Sequence, residues 1–195
     1  MRILITSGGT SEKIDDVRAI TNHSSGKLGK AIAESFAKDD VTIDMITTRH
    51  AVKPEGKMIH HHLIDSTADL EKTLKDLMTK NTYDAVIHSM AVSDFTPESS
   101  VTLEDLEAVM AAKPVDLPKA LVEVANERTE KKISSDTDHL VVVLKKTPKI
   151  ISLIKKLQPQ TILVGFKLLV DVPMIELLNA VSYTHLRAHE TKANL

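Results

Sequence analysis

The chain has 195 residues, enough for one compact α/β domain. Its 42% hydrophobic and 27% charged residues exclude a chain disordered throughout. Twenty-five Lys and Arg against 27 Asp and Glu leave a net charge of −2, which advertises no polyanion such as DNA as the main partner; with no cysteine, disulfides, thiolate metal sites and cysteine nucleophiles are excluded as well.

In chain order, Arg2–Thr6 reads as a buried strand that runs into a Ser7-Gly8-Gly9 turn. Gly26–Lys38 reads as a helix with Leu28, Ile32 and Phe36 four apart and Ala31 filling the same face. Val41–Thr47 and Met58–Ile64 are strands; Ser66 and Thr67 are N-cap candidates for a helix carrying Leu70, Leu74, Leu77 and Met78 inward. Asp84–Ser89, Leu140–Leu144 and Thr161–Phe166 complete the strands. Thr147 and Pro148 read as N-cap and first turn of a helix with Ile150, Ile151, Ile154 and Leu157 inward, and Pro173 starts a last one. This alternation predicts βαβ units and a mostly parallel sheet flanked by helices, with ligands at the carboxyl ends of the strands. The tips after Thr6, Ser89 and Val164 therefore matter most.

Two stretches break the rhythm. Thr96–Asp138, with scattered Pro and charge around a short helix at Leu103–Ala112, reads as an irregular, lid-like insertion. From Ser182 the chain reads SYTHLRAHETKANL, without apolar period, and resembles translated adapter sequence; residues 1–181 are expected to form the single domain and 182–195 a non-native tail. No apolar run reaches the ~18 residues of a membrane span, the best being Ile162–Val170 broken by Lys167. The first residues run straight into a glycine turn without the pattern of a signal peptide, so a cytoplasmic location is expected.

Several segments carry candidate chemistry. Gly8 and Gly9 form a tight turn of the kind that approaches phosphate, yet they do not make G-x-G-x-x-G, and Gly26-Lys27-Leu28 is no Walker loop. Thr47-Thr48-Arg49 offers no acid for a ribose, which disfavours an NAD(P)-dependent oxidoreductase. Asn22–Gly29 gathers Asn22, Ser24, Ser25, Gly26 and Lys27 before a helix: an oxyanion nest, or serines that merely cap the helix, with equal weight on composition. Ser89–Phe95 offers small residues against which a base or ribose lies, with Asp94 as hydrogen-bonding partner; a plain Asp helix cap is the commoner explanation. Lys131 and Lys132 read as a solvated face. His60, His61 and His62 are adjacent in a strand, where side chains alternate faces, and read as edge or surface residues rather than metal ligands.

Taken in order, the segments Ile3–Phe36, Ala91–Phe95, Lys131–Ser135 and Lys146–Val172 resemble the phosphopantothenate–cysteine ligases of bacterial coenzyme A biosynthesis, in their stand-alone form. The most specific piece combines T-x-E-x-I-D-x-V-R with S-S-G-K-x-G. The resemblance implies a Rossmann-like homodimer that joins 4′-phosphopantothenate to L-cysteine through an acyl-cytidylate, using CTP with Mg²⁺. By motif it places Asn22 at the acyl-cytidylate and Lys132 at the triphosphate as the catalytic pair. Gly8, Gly9, Ser89, Met90, Ala91, Asp94, Pro148, Lys149, Ile150, Ile151 and Phe166 fall around the nucleotide. Asn22, Ser24, Ser25, Gly26 and Lys27 fall around phosphate or substrate, and no side chain is assigned to a metal.

Departures accompany the match. Met90 stands where many relatives have Ala, and Ser182 onward replaces a lysine-bearing helix and an Ala-Asn-Asp strand, so the chain as written is expected to be weakly active or inactive. A non-catalytic nucleotide-binding or dimerisation module is the alternative.

Overall fold

The computed structural model describes residues 1–37, 40–112, 116–127, 137–166, 173 and 175. Its centre is β1 (Arg2–Ser7), whose Ile3, Leu4 and Ile5 are buried on both faces, as a strand inside a parallel sheet requires. Around it lie β4 (Thr42–Thr47), β5 (Ile59–Leu63), β6 (Ala85–His88) and β9 (Ile162–Gly165), in the order β5-β4-β1-β6-β9, every pair parallel. Chain order reverses between β1 and β6, which makes their carboxyl ends the switch point where a crevice opens. The predicted α/β class, a mostly parallel sheet flanked by helices, is the class observed.

Alternation along the strands sends side chains to two apolar layers. Leu4, Ile46 and Val86 meet Leu70, Leu74 and Met78 of α2 (Thr67–Lys80) and Ile150 and Ile154 of α5 (Ile150–Leu157). Ile3, Ile5, Ile43, Met45 and Ile87 meet Ala33 of α1 (Lys27–Phe36) on the other face. Ser66 caps α2 in a reciprocal box with Asp69, as its place before the helix predicted.

The inward stripe of α1 differs from the expected one. Gly29 and Ala33 are buried and Ile32 and Phe36 partly so, whereas Leu28 and Ala31 are exposed. The reason is close approach: a Cβ on Gly29 would collide with the Ser7 side chain of β1, so small residues, not leucine, face the sheet.

Between β6 and α5 the chain leaves the sheet. β7 (Phe95–Thr102) and β8 (Leu140–Lys146) form an antiparallel ribbon, bulged between Pro97 and Ser99. On it pack α3 (Leu103–Ala112) and α4 (Leu117–Glu127), with Val101, Leu106, Ala120 and Val124 as a small separate core and Val141 against it. Leu140–Leu144 is therefore a strand, as expected, but of this arm and not of the parallel sheet. Its run of branched apolar residues reads like a buried parallel strand, yet none of the five is fully buried: Val141 packs against the arm's small core and Leu144 is exposed.

At the sheet's far end Asp44 is almost wholly buried among Arg2 Nη2 at 2.8 Å, the Tyr83 hydroxyl at 2.8 Å and His62 Nε2 at 2.9 Å. Burial works to raise its carboxyl, but hydrogen bonds from His62, Tyr83 and Arg2 outweigh it and hold the pKa below the usual carboxylate range. Burial, then Asp44, push the Tyr83 phenol up. β5 is one of the two edge strands of the described central sheet, with His60 and His61 exposed on it. The segments expected as a phosphate-contacting lysine pair (Lys131, Lys132) and as a non-native tail (182–195) lie outside the described residues, as does most of the helix expected after Pro173.

Candidate active site

The turn after β1 owes its shape to two glycines. Gly8 has φ +91°, where a side chain is strained, and a Cβ there would lie 2.8 Å from Thr48 Oγ1. Gly9 packs on backbone, since a Cβ would run into the Asn22 carbonyl. Beyond it the chain forms a small hairpin, β2 (Ser11–Lys13) with β3 (Ala19–Thr21), which returns to Asn22. Asp15 holds the hairpin tip by accepting from the Val17 N–H at 2.8 Å and the Arg18 N–H at 2.6 Å. Glu12, 3% exposed, accepts from the N–H and hydroxyl of Thr67 at 2.8 and 2.7 Å, so a buried carboxylate sits at the start of α2, where the helix dipole favours it.

The tips of β1 and β6 are stitched together past the ends of the strands. Ala91 N–H donates to Gly8 O at 2.9 Å and Thr10 N–H to Ala91 O at 3.0 Å, an isolated parallel bridge between Gly9 and Ala91. Asn22 joins it: its N–H donates to Thr10 O at 3.1 Å, and Nδ2 donates to Ala91 O at 3.3 Å and Ser93 Oγ at 3.0 Å. Below the stitch, the Thr6 carbonyl accepts from the Ser89 N–H and hydroxyl, and Thr6 Oγ1 lies 2.8 Å from His88 Nδ1. Burial pushes the His88 imidazole down to about 4, so this histidine is neutral at pH 7.

On one side of the stitch opens a cleft of about 740 Å³ lined by Gly9, Asn22, His23 and Ser24 with Lys13, Thr48 and His50. Ser25 and Lys27 are exposed beside it; Ser25 O accepts from Val52 N–H. Neither Ser24 nor Ser25 caps α1: the cap residue is Gly26, φ +76°, with no side-chain capping bond. That removes the bland account of the two serines.

On the other side, the loop after β6 meets the start of α5. The Thr147 hydroxyl donates to Ser93 O and its N–H to Asp94 O, so Thr147 ties two loops together instead of capping α5, whose cap residue is Lys149. Asp94 caps no helix, because β7 follows it; its exposed carboxylate faces Lys149 Nζ at 3.2 Å. Met90 sends its side chain into the core with Ile150, leaving backbone as what it offers a ligand. Ile151 lies against Gly165, where a Cβ would meet its Cδ1 at 2.8 Å; Pro148 and Phe166 are exposed near by in sequence.

The fold thus brings Gly8, Gly9, Asn22, Ser89 and Ala91 into one bonded cluster, with Ser24 in the adjoining cleft and Asp94 and Lys149 one residue beyond Ser93 and Pro148. Sequence reasoning assigns no site role to Thr6, Thr10, Ser93 or Thr147, whose hydroxyls make the joints. The signal available was the motif T-x-E itself: polar residues at Thr10 and Glu12 that turn out buried. Among the described residues no group of three His, Asp or Glu side chains is placed to hold a metal ion, and no helix is long and apolar enough to cross a membrane.

The model of the DNA/pantothenate metabolism flavoprotein C-terminal domain matches residues 1–105. The chain is 31% identical over 178 residues to the coenzyme A biosynthesis bifunctional protein CoaBC of Methanocaldococcus jannaschii, covering 91% of this chain and 36% of that protein. It spans about a third of the length of such curated relatives. A crystal structure of the DNA/pantothenate metabolism flavoprotein from Streptococcus pneumoniae superposes with TM-score 0.81 at 43% identity, over 94% of this chain and 76% of that one. The fold is shared with Cab2 mutant H337A in complex with phosphopantothenate-cysteine, TM-score 0.64 at 18% identity, over 93% of this chain and 69% of that one. A match to more than half of the chain, together with the glycine turn and the Asn22 loop within it, settles the family: this protein is a member of the DNA/pantothenate metabolism flavoprotein C-terminal domain family.

Proposed function

We propose that the chain is a phosphopantothenate–cysteine ligase domain of coenzyme A biosynthesis, using CTP. The observation that carries the proposal is the stitched cluster at the switch point, where the Gly8-Gly9 turn, the Asn22 loop and the Ser89–Asp94 loop meet within hydrogen-bonding distance. A carboxylate is a poor electrophile, and bringing it to a triphosphate sets negative charges against each other. Aimed N–H groups and cations must offset that repulsion.

In the first step a carboxylate oxygen of 4′-phosphopantothenate attacks the α-phosphorus, the bond to the bridging oxygen breaks, and pyrophosphate leaves. In the second the cysteine amine attacks the acyl carbon, the C–O bond to CMP breaks, and the amine loses its proton. Gly8 and Gly9 bring backbone close to the phosphates, Ser24, Ser25, Gly26 and Lys27 supply donors at the uncapped start of α1, and Asn22 stands between nucleotide and acyl group. Ser89, Met90 and Ala91 offer backbone to the nucleotide, with Asp94, Pro148, Lys149, Ile150, Ile151 and Phe166 along its other side. Lys132 enters by the family motif alone. Mg²⁺ would neutralise triphosphate charge, taking most of its ligands from phosphate oxygens and water, as such ions do. A homodimer belongs to the same reading, and sedimentation at micromolar protein measures it.

The test is CTP titration followed by pyrophosphate release with phosphopantothenate and product formation with cysteine. Release that needs both CTP and phosphopantothenate supports the ligase. Binding without release makes the chain a nucleotide-binding module, and absence of both overturns the assignment. Lys132→Ala should cut turnover at least tenfold with little change in melting temperature; retained activity with a collapsed melting temperature removes its assigned role.

A further inference from the structure

Two acceptors hold the Asn22 carboxamide. Nδ2 faces Ala91 O, which as a backbone carbonyl can only accept, so the nitrogen and not the oxygen must lie there. Its second N–H goes to Ser93 Oγ. Ser93 is itself fixed, 8% exposed, by donating its N–H to Thr10 Oγ1 at 2.9 Å and sharing a 2.9 Å bond between the two hydroxyls. Thr10 is wholly buried and returns to the same ring through its N–H to Ala91 O and its carbonyl to the Asn22 N–H. Both amide protons are thereby used inside the protein. Among the described residues Oδ1 has no hydrogen bond, and Asn22 lines the cleft.

We propose that Thr10 and Ser93 are positioning residues that lock the Asn22 carboxamide nitrogen-inward, so that Asn22 meets its ligand as an acceptor and binds a substrate N–H or O–H rather than a phosphate or carboxylate oxygen. An amide oxygen set against an anion would repel it, whereas against an amide N–H or hydroxyl it fixes the direction of approach. The identity of the donor substrate rests on the ligase assignment above; the lock itself does not.

The lock is read by exchange of the Asn22 side-chain NH₂ protons in ¹⁵N-labelled full-length protein, assigned by their loss in Asn22→Ala. Both protons should exchange at least tenfold more slowly than in free asparagine, and Ser93→Ala should release one of them. Free exchange of both in the unaltered protein overturns the lock. The acceptor role is read on Thr10→Val, with Thr10→Ser as the conservative control. Thr10→Val should raise the KM for phosphopantothenate at least tenfold while the Kd for CTP moves less than threefold, and Thr10→Ser should restore the KM. A CTP Kd that weakens as much as the KM rises shows Asn22 facing the anion and overturns the acceptor role. If the unaltered protein binds no CTP, the ligase assignment fails, and the exchange measurement still decides the lock.

Discussion

The parallel sheet and the β7–β8 arm are built on different margins. The sheet has apolar layers on both faces, supplied by α2 and α5 on one and α1 on the other. The arm has one small core, Val101, Leu106, Ala120 and Val124, under a single helix pair, and its strand β7 carries mostly polar residues. Global stability therefore resides in the sheet, and the arm can open without it.

That contrast fails or holds on two truncations. Leu74→Ala, in the wholly buried layer beneath α2, should cost about 2–5 kcal/mol of unfolding free energy. Val124→Ala in the arm should cost about 1–2 kcal/mol and accelerate hydrogen exchange only in β7, β8 and their helices. Equal losses in denaturant midpoint would mean that the two regions unfold as one.

A proton sharpens the comparison next. The His88 imidazole lies in the sheet, and burial lowers its pKa from 6.5 to about 4. Between those values the unfolded chain takes up a proton that the folded chain refuses. The neutral histidine's stability is thus intact above pH 6.5, is lost as pH falls towards 4, and levels off below. The full loss is up to roughly 3 kcal/mol. Urea midpoints at pH 7.5 and 5 should diverge for the unaltered protein and converge for His88→Gln.

Of similar size, Gly29→Ala should cost about 1–3 kcal/mol by forcing α1 off the Ser7 side chain, with weaker CTP binding because α1 begins beside the cleft. Calorimetry on the pair of proteins measures both. The smallest effect belongs to the base of the arm. Lys149→Ala removes an ion pair whose side chains are both 74% exposed, and the melting temperature should move by the equivalent of less than about 1 kcal/mol.

Much of this was legible in advance, for physical reasons. Strands buried on both faces announce themselves as apolar runs, and α2 shows both its cap, Ser66, and its stripe. α3 was marked by helical composition between Pro-bearing segments. What escaped depends on long-range partners. The pairing of Leu140–Leu144 with the polar Phe95–Thr102 leaves no trace in either segment alone; α4, by contrast, has a local start signal that the sequence reading does not use, Asp116 accepting from the Lys119 N–H at 3.0 Å with Pro118 in the first turn. Thr147 looked like a helix cap because a hydroxyl before proline usually is one; only the fold reveals Ser93 O within its reach. In the site, glycines and Asn22 stood out by type, whereas Thr10 and Ser93 did not, since hydroxyl residues are common and their burial is not a local property.

The bridge between Gly9 and Ala91 has a mechanical consequence. Because it extends the β1–β6 ladder past the last strand residues, the two lips of the crevice are riveted to each other. A guest arriving at either lip shifts both, and width adjustment falls to the outer walls: the Ser24–Lys27 shoulder on one flank and the Thr147–Lys149 shoulder on the other.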